Sequence, residues 1–171
     1  MTTATVTLPH WPALAATGLR LQTIETDVRV NAPCAAVHAF ATNAARWCRW
    51  HPATRAVETL PDRPLGLGET VVEHIATAGR RFSATWTVVA VDAPQLWVIT
   101  TDTPQGLARI TYRLTSEPGP GGISVTRFQR RLEFCSRPWW QRRLDPMIAR
   151  WVLVPQSRRA LDQLKRIVEA D

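Results

Sequence analysis

The sequence predicts an α+β fold in which a seven-stranded antiparallel sheet curves around one long C-terminal helix. A strand-like segment near residue 24 precedes two short helical segments, and six further strand-like segments follow between residues 54 and 134. Short turns separate these six, which favours antiparallel neighbours. Residues 138–170 then repeat apolar side chains at a helical period. A single helix cannot cover a flat sheet of this width, so the sheet must curve and leave a cavity against the helix.

The first strand and the two short helices are predicted from local patterns. Ile24–Val30 alternates between apolar and charged residues, as a half-buried strand does. Asn31 or Ala32 is expected to cap a helix that has Pro33 in its first turn and runs to residue 41. A second short helix is predicted from Asn43 to residue 50, where Pro52 stops it.

Turn residues divide the central region into six strands. Ala78-Gly79 is typical of a hairpin, and residues 118–122 (PGPGG) are typical of a loop. The predicted strands are Arg55–Leu60, Glu69–Thr77, Arg81–Val91, Leu96–Thr101, Leu107–Ser116 and Ile123–Phe134.

The C-terminal segment is predicted to be one amphipathic helix. Pro146 is expected in an early turn or at a break, and Pro155 is expected to kink or split the helix. Four apolar residues of its first half are expected to face the concave side of the sheet: Leu144, Met147, Ile148 and Trp151.

Length and composition favour a single domain over residues 23–171, preceded by an extension at residues 1–22. The chain has 171 residues, of which 45 % are apolar, so it can bury one core. We expect a cytoplasmic location, because no apolar run is long enough to span a membrane and residues 1–8 do not resemble a secretory signal.

Cys34, Cys48 and Cys135 lack zinc-ligand spacing and are expected to be reduced and buried, so we expect no metal. No dinucleotide or phosphate-loop motif is present, so we expect no cofactor, and the oligomeric state stays open.

The positive charge is concentrated in the last quarter of the chain. The net charge is +7, with 20 arginines and only one lysine, and residues 127–171 carry +6 of it. This charge allows weak contact with an anionic surface, or it is simply a solvated helix face. Nucleic acid is an improbable partner, because no known motif interleaves exposed aromatic and basic residues in this way.

Four segments together resemble the SRPBCC, or START-like, superfamily, close to its polyketide cyclase/dehydrase branch. They are VRVNAP at 28–33 with Val37 and Phe40, WCRWHP at 47–52, WTVVAVDAP at 86–94, and LDQLKR at 161–166. The resemblance covers residues 23–170 and implies the helix-grip fold with a ligand cavity. The resemblance also implies a bacterial-type protein, but it does not fix an activity, because members range from lipid carriers to aromatases and cyclases to chaperone cofactors.

Candidate site residues follow from the expected faces of the strands and helices. The ligand-binding candidates are Trp50, Trp86, Tyr112, Met147 and Trp151. Core packing is the favoured explanation for Trp50 and Tyr112 and an equally good one for Met147 and Trp151, whereas Trp86 is expected to line or fill the cavity. His74 is a candidate acid or base if it faces inward, but alternation does not decide between His74 and Glu73. His51 is expected to close the second helix.

The last strand offers two registers that lead to different functions. Alternation from Ile123 and Val125 turns Arg127 into the cavity, where it could stabilise an enolate. A β-bulge would instead turn Phe128, Leu132 and Phe134 inward. This second register is favoured, because the first would bury unpaired charge at a high cost in free energy.

The two functional hypotheses share the cavity. The first is binding of a hydrophobic small molecule, aromatic, polyketide-like or lipid-like. The alternative is a cyclase or aromatase acting on an enolisable substrate through Arg127, Tyr112 or His74. Convergent polar groups in the cavity wall would favour catalysis, and a purely apolar wall would favour carriage.

Overall fold

The computed structural model describes residues 21–58, 61–122 and 124–170, and these form one curved sheet packed on helices. The sheet has seven antiparallel strands in the order β1-β7-β6-β5-β4-β3-β2. The strands are β1 Gln22–Val30, β2 Thr54–Val57, β3 Thr70–Thr77, β4 Arg80–Asp92, β5 Leu96–Thr103, β6 Gly106–Pro118 and β7 Ser124–Ser136. The predicted neighbours are confirmed, whereas residues 1–20 of the predicted extension, 59–60 and 123 lie outside the described residues.

Local sequence explains the β3–β4 hairpin and the curvature of the sheet. Ala78 and Gly79 both have positive φ angles, 49° and 73°, as a two-residue hairpin turn requires. The β4–β5 pairing shifts register between Val88 and Ala90. A register shift of this kind places an extra residue in one strand, which increases the local twist and bends the strand.

The two short helices lie between β1 and β2. Helix α1 is Cys34–Ala41; a 3₁₀ turn, Ala44–Arg46, then leads into α2, Trp47–Trp50. Pro33 itself occupies the N-cap position of α1, one residue after Ala32 and two after Asn31, the expected caps. Asn43 caps the second segment as predicted, since its side-chain oxygen accepts a hydrogen bond from the Ala45 amide at 3.1 Å.

The C-terminal segment begins with a short helix, α3 Trp139–Arg142, and continues as a helix of 24 residues. Its parts are α4 Asp145–Ile148, a π-helical turn Ala149–Leu153, and α5 Val154–Val168. Pro146 and Pro155 both lie in first turns, of α4 and α5. Because proline cannot donate to the carbonyl four residues earlier, a widened π turn before Pro155 accommodates it.

The expected inward face of the first half of this helix is wrong for three of four residues. Ile148 is half-buried, but Leu144, Met147 and Trp151 are exposed, Trp151 to 68 %. One extra residue in the π turn rotates the preceding residues by about 100° relative to α5. The apolar stripe of α5, which packs along β1, therefore does not continue into α4.

An aromatic cluster fills the half of the concave face that lies beneath α1 and α2. Trp97 stacks on Tyr112 with ring centroids 5.3 Å apart, and Tyr112 lies 5.0 Å from Phe128 and 6.3 Å from Trp50. All four are buried. The other half of the concave face is left for a cavity.

Strand β7 contains no bulge within residues 124–136, so the expected bulge is wrong. Its pairing with β1 and β6 is continuous, yet Phe128, Leu132 and Phe134 still face the concave side. The reason is that Val125 does not face inward; Thr126 does, and its hydroxyl donates to the Ala32 carbonyl at 2.6 Å. Alternation assigns two faces but does not say which of them is buried.

The described residues include no helix that is long and apolar enough to cross a membrane. All three cysteines are free thiols. Cys135 is buried and Cys34 half-buried, but Cys48 is exposed, so the expectation of three buried thiols is wrong for Cys48. The exposed face of the short helix α2 carries its side chain.

Candidate functional site

A cavity of about 230 Å³ lies between the concave face and the C-terminal helix. Its walls come from β3 to β7 and from Ile148 and Leu153 of the helix. Most of the lining is apolar, including Ile75, Phe82, Ala84, Trp86, Ile110, Leu132 and Phe134. The volume is below the range of about 300–1,000 Å³ for drug-sized ligands, so the cavity suits a compact molecule.

Polar residues converge at the end of the cavity next to the aromatic cluster. Arg130 of β7 is 4 % exposed, and Glu73 of β3 is 5 % exposed. His51, directly after α2, lines the same end. Three distant segments of the chain thus bring a cation, a carboxylate and an imidazole to one wall.

A directional chain of hydrogen bonds connects these groups. Arg130 donates to Nε2 of His51 at 3.3 Å, and Nδ1 of His51 lies 3.1 Å from Oγ1 of Thr54. Thr54 donates in turn to Oε1 of Glu73, while Trp86 Nε1 donates to Oε2 at 2.8 Å. Because Nε2 of His51 accepts, its ring proton lies on Nδ1 and is donated to Thr54.

Arg130 is held on its other side by the helix. One terminal nitrogen donates to Oγ of Ser157 in α5 at 3.0 Å, and Ser157 lies 2.7 Å from Oγ1 of Thr26. Among the described residues, Nε of Arg130 has no hydrogen-bond partner. Buried donors are normally satisfied, so Arg130 keeps one unused, fully buried donor in a side chain that lines the cavity.

Burial governs the protonation states here. Burial raises the pKa of Glu73, against the opposing effect of hydrogen bonds from Thr54 and Trp86 and of the Arg130 charge. Burial and the Arg130 charge lower the pKa of His51 to about 3, so its imidazole is neutral at neutral pH. Burial raises the pKa of Tyr112 to about 12, although Arg130 acts in the opposite direction.

The opposite end of the cavity opens towards two hairpin tips. Ala78 and Arg80 at the β3–β4 tip and Gln105 at the β5–β6 tip line it and are exposed. The Arg80 guanidinium lies 5.2 Å from the ring centre of Trp140 in α3, which connects the first tip to the C-terminal segment. A ligand entering here therefore meets the apolar walls before it reaches Arg130 and Glu73.

The structure brings only some of the predicted site residues to the cavity. Trp86 lines it, whereas Trp50 and Tyr112 lie in the neighbouring aromatic cluster and are absent from its lining. Met147 and Trp151 lie on the exposed side of the C-terminal segment.

Two catalytic candidates lie away from the cavity. His74 faces the convex side, where Nδ1 lies 2.8 Å from Oγ of Ser83. Arg127 also faces outward and forms an exposed ion pair with Asp27 at 3.3 Å. The cavity arginine is Arg130, three residues further along the chain.

Sequence reasoning missed Glu73, Thr54 and Arg130 as site residues. A usable signal was present: each of the two charged residues is flanked at two residues' distance by apolar ones, as in Val71-Glu73-Ile75 and Phe128-Arg130-Leu132. A charged residue in register with a buried stripe is a candidate for a paired, functional group.

Comparison with known proteins places this fold and cavity in a family. Residues 22–169 match the family described as "Polyketide cyclase / dehydrase and lipid transport", and the chain belongs to that family. The resemblance stated from the sequence is thereby confirmed. No curated protein sequence matches the chain.

Solved structures share the helix-grip fold, which confirms the predicted fold class. The Zhui aromatase/cyclase from Streptomyces sp. R1128 aligns with a TM-score of 0.70 at 17 % identity, over 88 % of this chain and 94 % of that one. Norcoclaurine synthase from Thalictrum flavum, in complex with dopamine and hydroxybenzaldehyde, gives 0.63 at 12 % identity, over 97 % and 96 %. The di-domain ARO/CYC BexL from the BE-7585A biosynthetic pathway gives 0.67 at 18 % identity, over 88 % and 51 %.

Proposed function

We propose that the cavity binds a compact, hydrophobic small molecule that carries a carbonyl or phenolic oxygen. The proposal rests on one observation: a buried arginine lines the polar end of an otherwise largely apolar cavity. The apolar walls select a ring system or short hydrocarbon, and Arg130 selects its oxygen. Because Glu73 balances the charge of Arg130, a neutral oxygen fits better than a carboxylate.

Two aromatic probes test this proposal. Binding of naphthalene and of 2-acetonaphthone, which adds a ketone, is followed by the intrinsic tryptophan fluorescence. We expect the ketone to bind about 10- to 150-fold more tightly, the ratio equivalent to one hydrogen bond to a charged group. The double variant Arg130→Met/Glu73→Gln should lose this preference, and Arg127→Met should keep it.

Equal affinity of the wild-type protein for both probes would contradict the proposal, as would loss of the preference in Arg127→Met. Native mass spectrometry of protein purified from its own host would then identify the natural ligand. A co-purifying molecule without a hydrogen-bond acceptor would also contradict the role of Arg130.

A second candidate function is cyclase-type catalysis, which the convergence of Glu73 and Arg130 favours. In this function, Glu73 removes a proton from the carbon next to a carbonyl, and the electron pair moves to the oxygen held by Arg130. The enolate carbon then attacks a second carbonyl carbon of the same molecule, and the oxygen formed takes the proton back from Glu73. The step needs no oxidant or reductant.

Deuterium exchange separates catalysis from binding. In D₂O, the wild-type protein should accelerate exchange at the central carbon of 1-phenylbutane-1,3-dione, followed by NMR. Glu73→Gln should abolish the acceleration while retaining binding of 2-acetonaphthone. An unaccelerated exchange in the wild-type protein would leave ligand binding as the function and exclude Glu73 as a base for this class of substrate.

A further inference from the structure

Five of the six large apolar side chains that are exposed among the described residues belong to one short segment. They are Trp139, Trp140, Leu144, Met147 and Trp151, and we call this group the apolar patch. Trp139 and Trp151 are 63 % and 68 % exposed. A cluster of this kind is unusual on a water-exposed surface and marks an interaction site.

Arginines border the apolar patch and stack on its tryptophans. The guanidinium of Arg143 lies 5.4 Å from the ring centre of Trp139, and that of Arg150 lies 5.1 Å from the ring centre of Trp151. Residues 139–159 contain five arginines and one acid, Asp145. Asp145 is buried and accepts hydrogen bonds from the Ser136 amide and hydroxyl at 3.0 and 2.7 Å, so it does not offset the surface charge.

We propose that this surface docks onto an anionic lipid bilayer, with the apolar patch in the interface and the arginines on the lipid headgroups. Tryptophan is enriched at membrane interfaces, and surface helices that lie in them combine such residues with arginine or lysine. Each basic residue near an anionic surface contributes to binding through the surface potential. The proposal concerns the outside of the protein and does not depend on the ligand proposed for the cavity.

Charge and shape favour a bilayer over the other possible occupants. Two copies of the chain would bring two arginine-rich surfaces together, which is repulsive. Single-stranded nucleic acid stacks on free aromatic faces, but a guanidinium of this chain already covers one face of Trp139, Trp140 and Trp151. Leu144 and Met147 provide no stacking surface, whereas a bilayer interface accepts them as it does tryptophan.

The position of the apolar patch relates it to the cavity opening. Gln141 and Ile148, from the same segment, line the cavity, and Trp140 lies beneath Arg80 at the cavity opening. Docking through this surface would therefore bring the opening close to the lipid. A hydrophobic molecule could then exchange between bilayer and cavity with little exposure to water.

Vesicle co-sedimentation tests the proposal with two lipid compositions. The full chain should partition onto vesicles of mixed phosphatidylcholine and phosphatidylglycerol and much less onto pure phosphatidylcholine. Arg143→Gln/Arg150→Gln should lower the partition coefficient about 25-fold, or about fivefold per arginine. The control Arg55→Gln/Arg113→Gln removes the same charge from exposed positions elsewhere and should retain nearly wild-type binding.

The contribution of the apolar patch to vesicle binding is tested by replacing two of its tryptophans and, as a control, an equally exposed apolar residue elsewhere. Trp139→Ser/Trp151→Ser should weaken vesicle binding about tenfold or more, because two large aromatic surfaces no longer enter the interface. Leu67→Ser is the control, since Leu67 is also 68 % exposed but lies before β3. All four variants change exposed side chains, and their melting temperatures should stay near that of the wild type.

Four results would overturn the proposal. The first is equal partition onto both vesicle types. The second is equal loss of binding in the Arg55/Arg113 control. The third is a wild-type oligomer, seen by sedimentation, that the tryptophan double variant converts to a monomer, since the apolar patch would then be a self-association surface. Binding of a single-stranded oligonucleotide without vesicle binding would equally refute it.

Discussion

Replacement of Arg130 by methionine should destabilise the protein mainly through Glu73, which stays buried without its cation. Arg130→Met removes the hydrogen bonds to Ser157 and His51 but introduces a side chain that suits the neighbours Phe128 and Leu132. Arg130 and Glu73 are not in direct contact but are linked through His51 and Thr54. The loss of about 3–5 kcal/mol of unfolding free energy that follows removal of one partner of a direct buried ion pair is therefore an upper bound for this pair. In the Glu73→Gln background no charge is stranded, so the same replacement should cost only about 1–2 kcal/mol. The coupling energy is then at most about 2–3 kcal/mol.

The loss of unfolding free energy caused by Arg130→Met should increase as the pH rises. Burial raises the pKa of Glu73 in the folded state above its ordinary value of 4.5, so the folded protein retains this proton at a higher pH than the unfolded chain. Stability from this group is therefore fully present below pH 4.5 and declines as the pH rises. Loss of Arg130 raises the folded pKa further, and the Arg130→Met penalty should grow between pH 5 and pH 7.

Urea unfolding followed by circular dichroism measures all four members of this cycle at both pH values. Arg127→Met is the matched control, because its exposed ion pair with Asp27 should contribute no more than about 0.5 kcal/mol. A penalty below about 1 kcal/mol for Arg130→Met would refute the interpretation. A penalty that is the same with and without Glu73→Gln would refute it as well, since Arg130 and Glu73 would then be energetically independent.

Three further predictions concern the same wall and the thiols. Trp86→Ala should lower the unfolding free energy by about 3–5 kcal/mol and weaken probe binding, and an unchanged melting temperature would place Trp86 outside the core. The wild-type protein should lose stability on acidification between pH 6.5 and pH 3, at up to about 1.4 kcal/mol per pH unit, because the pKa of His51 falls from 6.5 to about 3 on folding. His51→Gln should reduce this loss. His74→Gln, on the exposed face, is the control. A maleimide should modify Cys48 in the folded protein and Cys135 only after unfolding, which mass spectrometry distinguishes.

Local periodicity was sufficient to predict the strands and their order, because each pairing joins segments that short turns make adjacent. The hairpin at Ala78-Gly79 and the N-cap at Asn43 are local features in this sense. The pairing of β1 with β7 is different, since it joins residues about a hundred positions apart. Neither periodicity nor the helix-grip resemblance identified β7 as the neighbour of β1; the sequence predicted only that the first strand joins the sheet.

The site was less predictable because its polar members are buried on faces that alternation alone does not identify. Glu73 and His74 both have apolar neighbours, and only the complete sheet shows that Glu73 faces the cavity. In β7, an inward Val125 was the natural assumption, yet this residue is buried on the convex side. That assumption made Arg127, rather than Arg130, the candidate for a cavity arginine.

In the C-terminal segment, helical periodicity predicted the helix but not which parts of it are covered by the rest of the protein. Apolar residues at helical spacing predict an amphipathic helix, but they do not say what covers its apolar face. For α5 that cover is β1, with α1 and α2, whereas the apolar patch has no comparable cover among the described residues. The π turn before Pro155 separates the two parts, and its one-residue offset cannot be read from a 3.6-residue pattern.

The position of the aromatic cluster determines the orientation in which a ligand can bind. Trp50, Trp97, Tyr112 and Phe128 occupy the half of the concave face beneath α1 and α2, so that end is closed. The opening lies at Arg80 and Gln105, and the lining in between is apolar. A molecule of the class proposed above would therefore enter with its oxygen on the leading end to reach Arg130, and with its hydrocarbon part towards the opening. The same geometry keeps Arg130 and Glu73 away from solvent. Their mutual attraction, and any hydrogen bond to a ligand, are stronger in this buried position than in water.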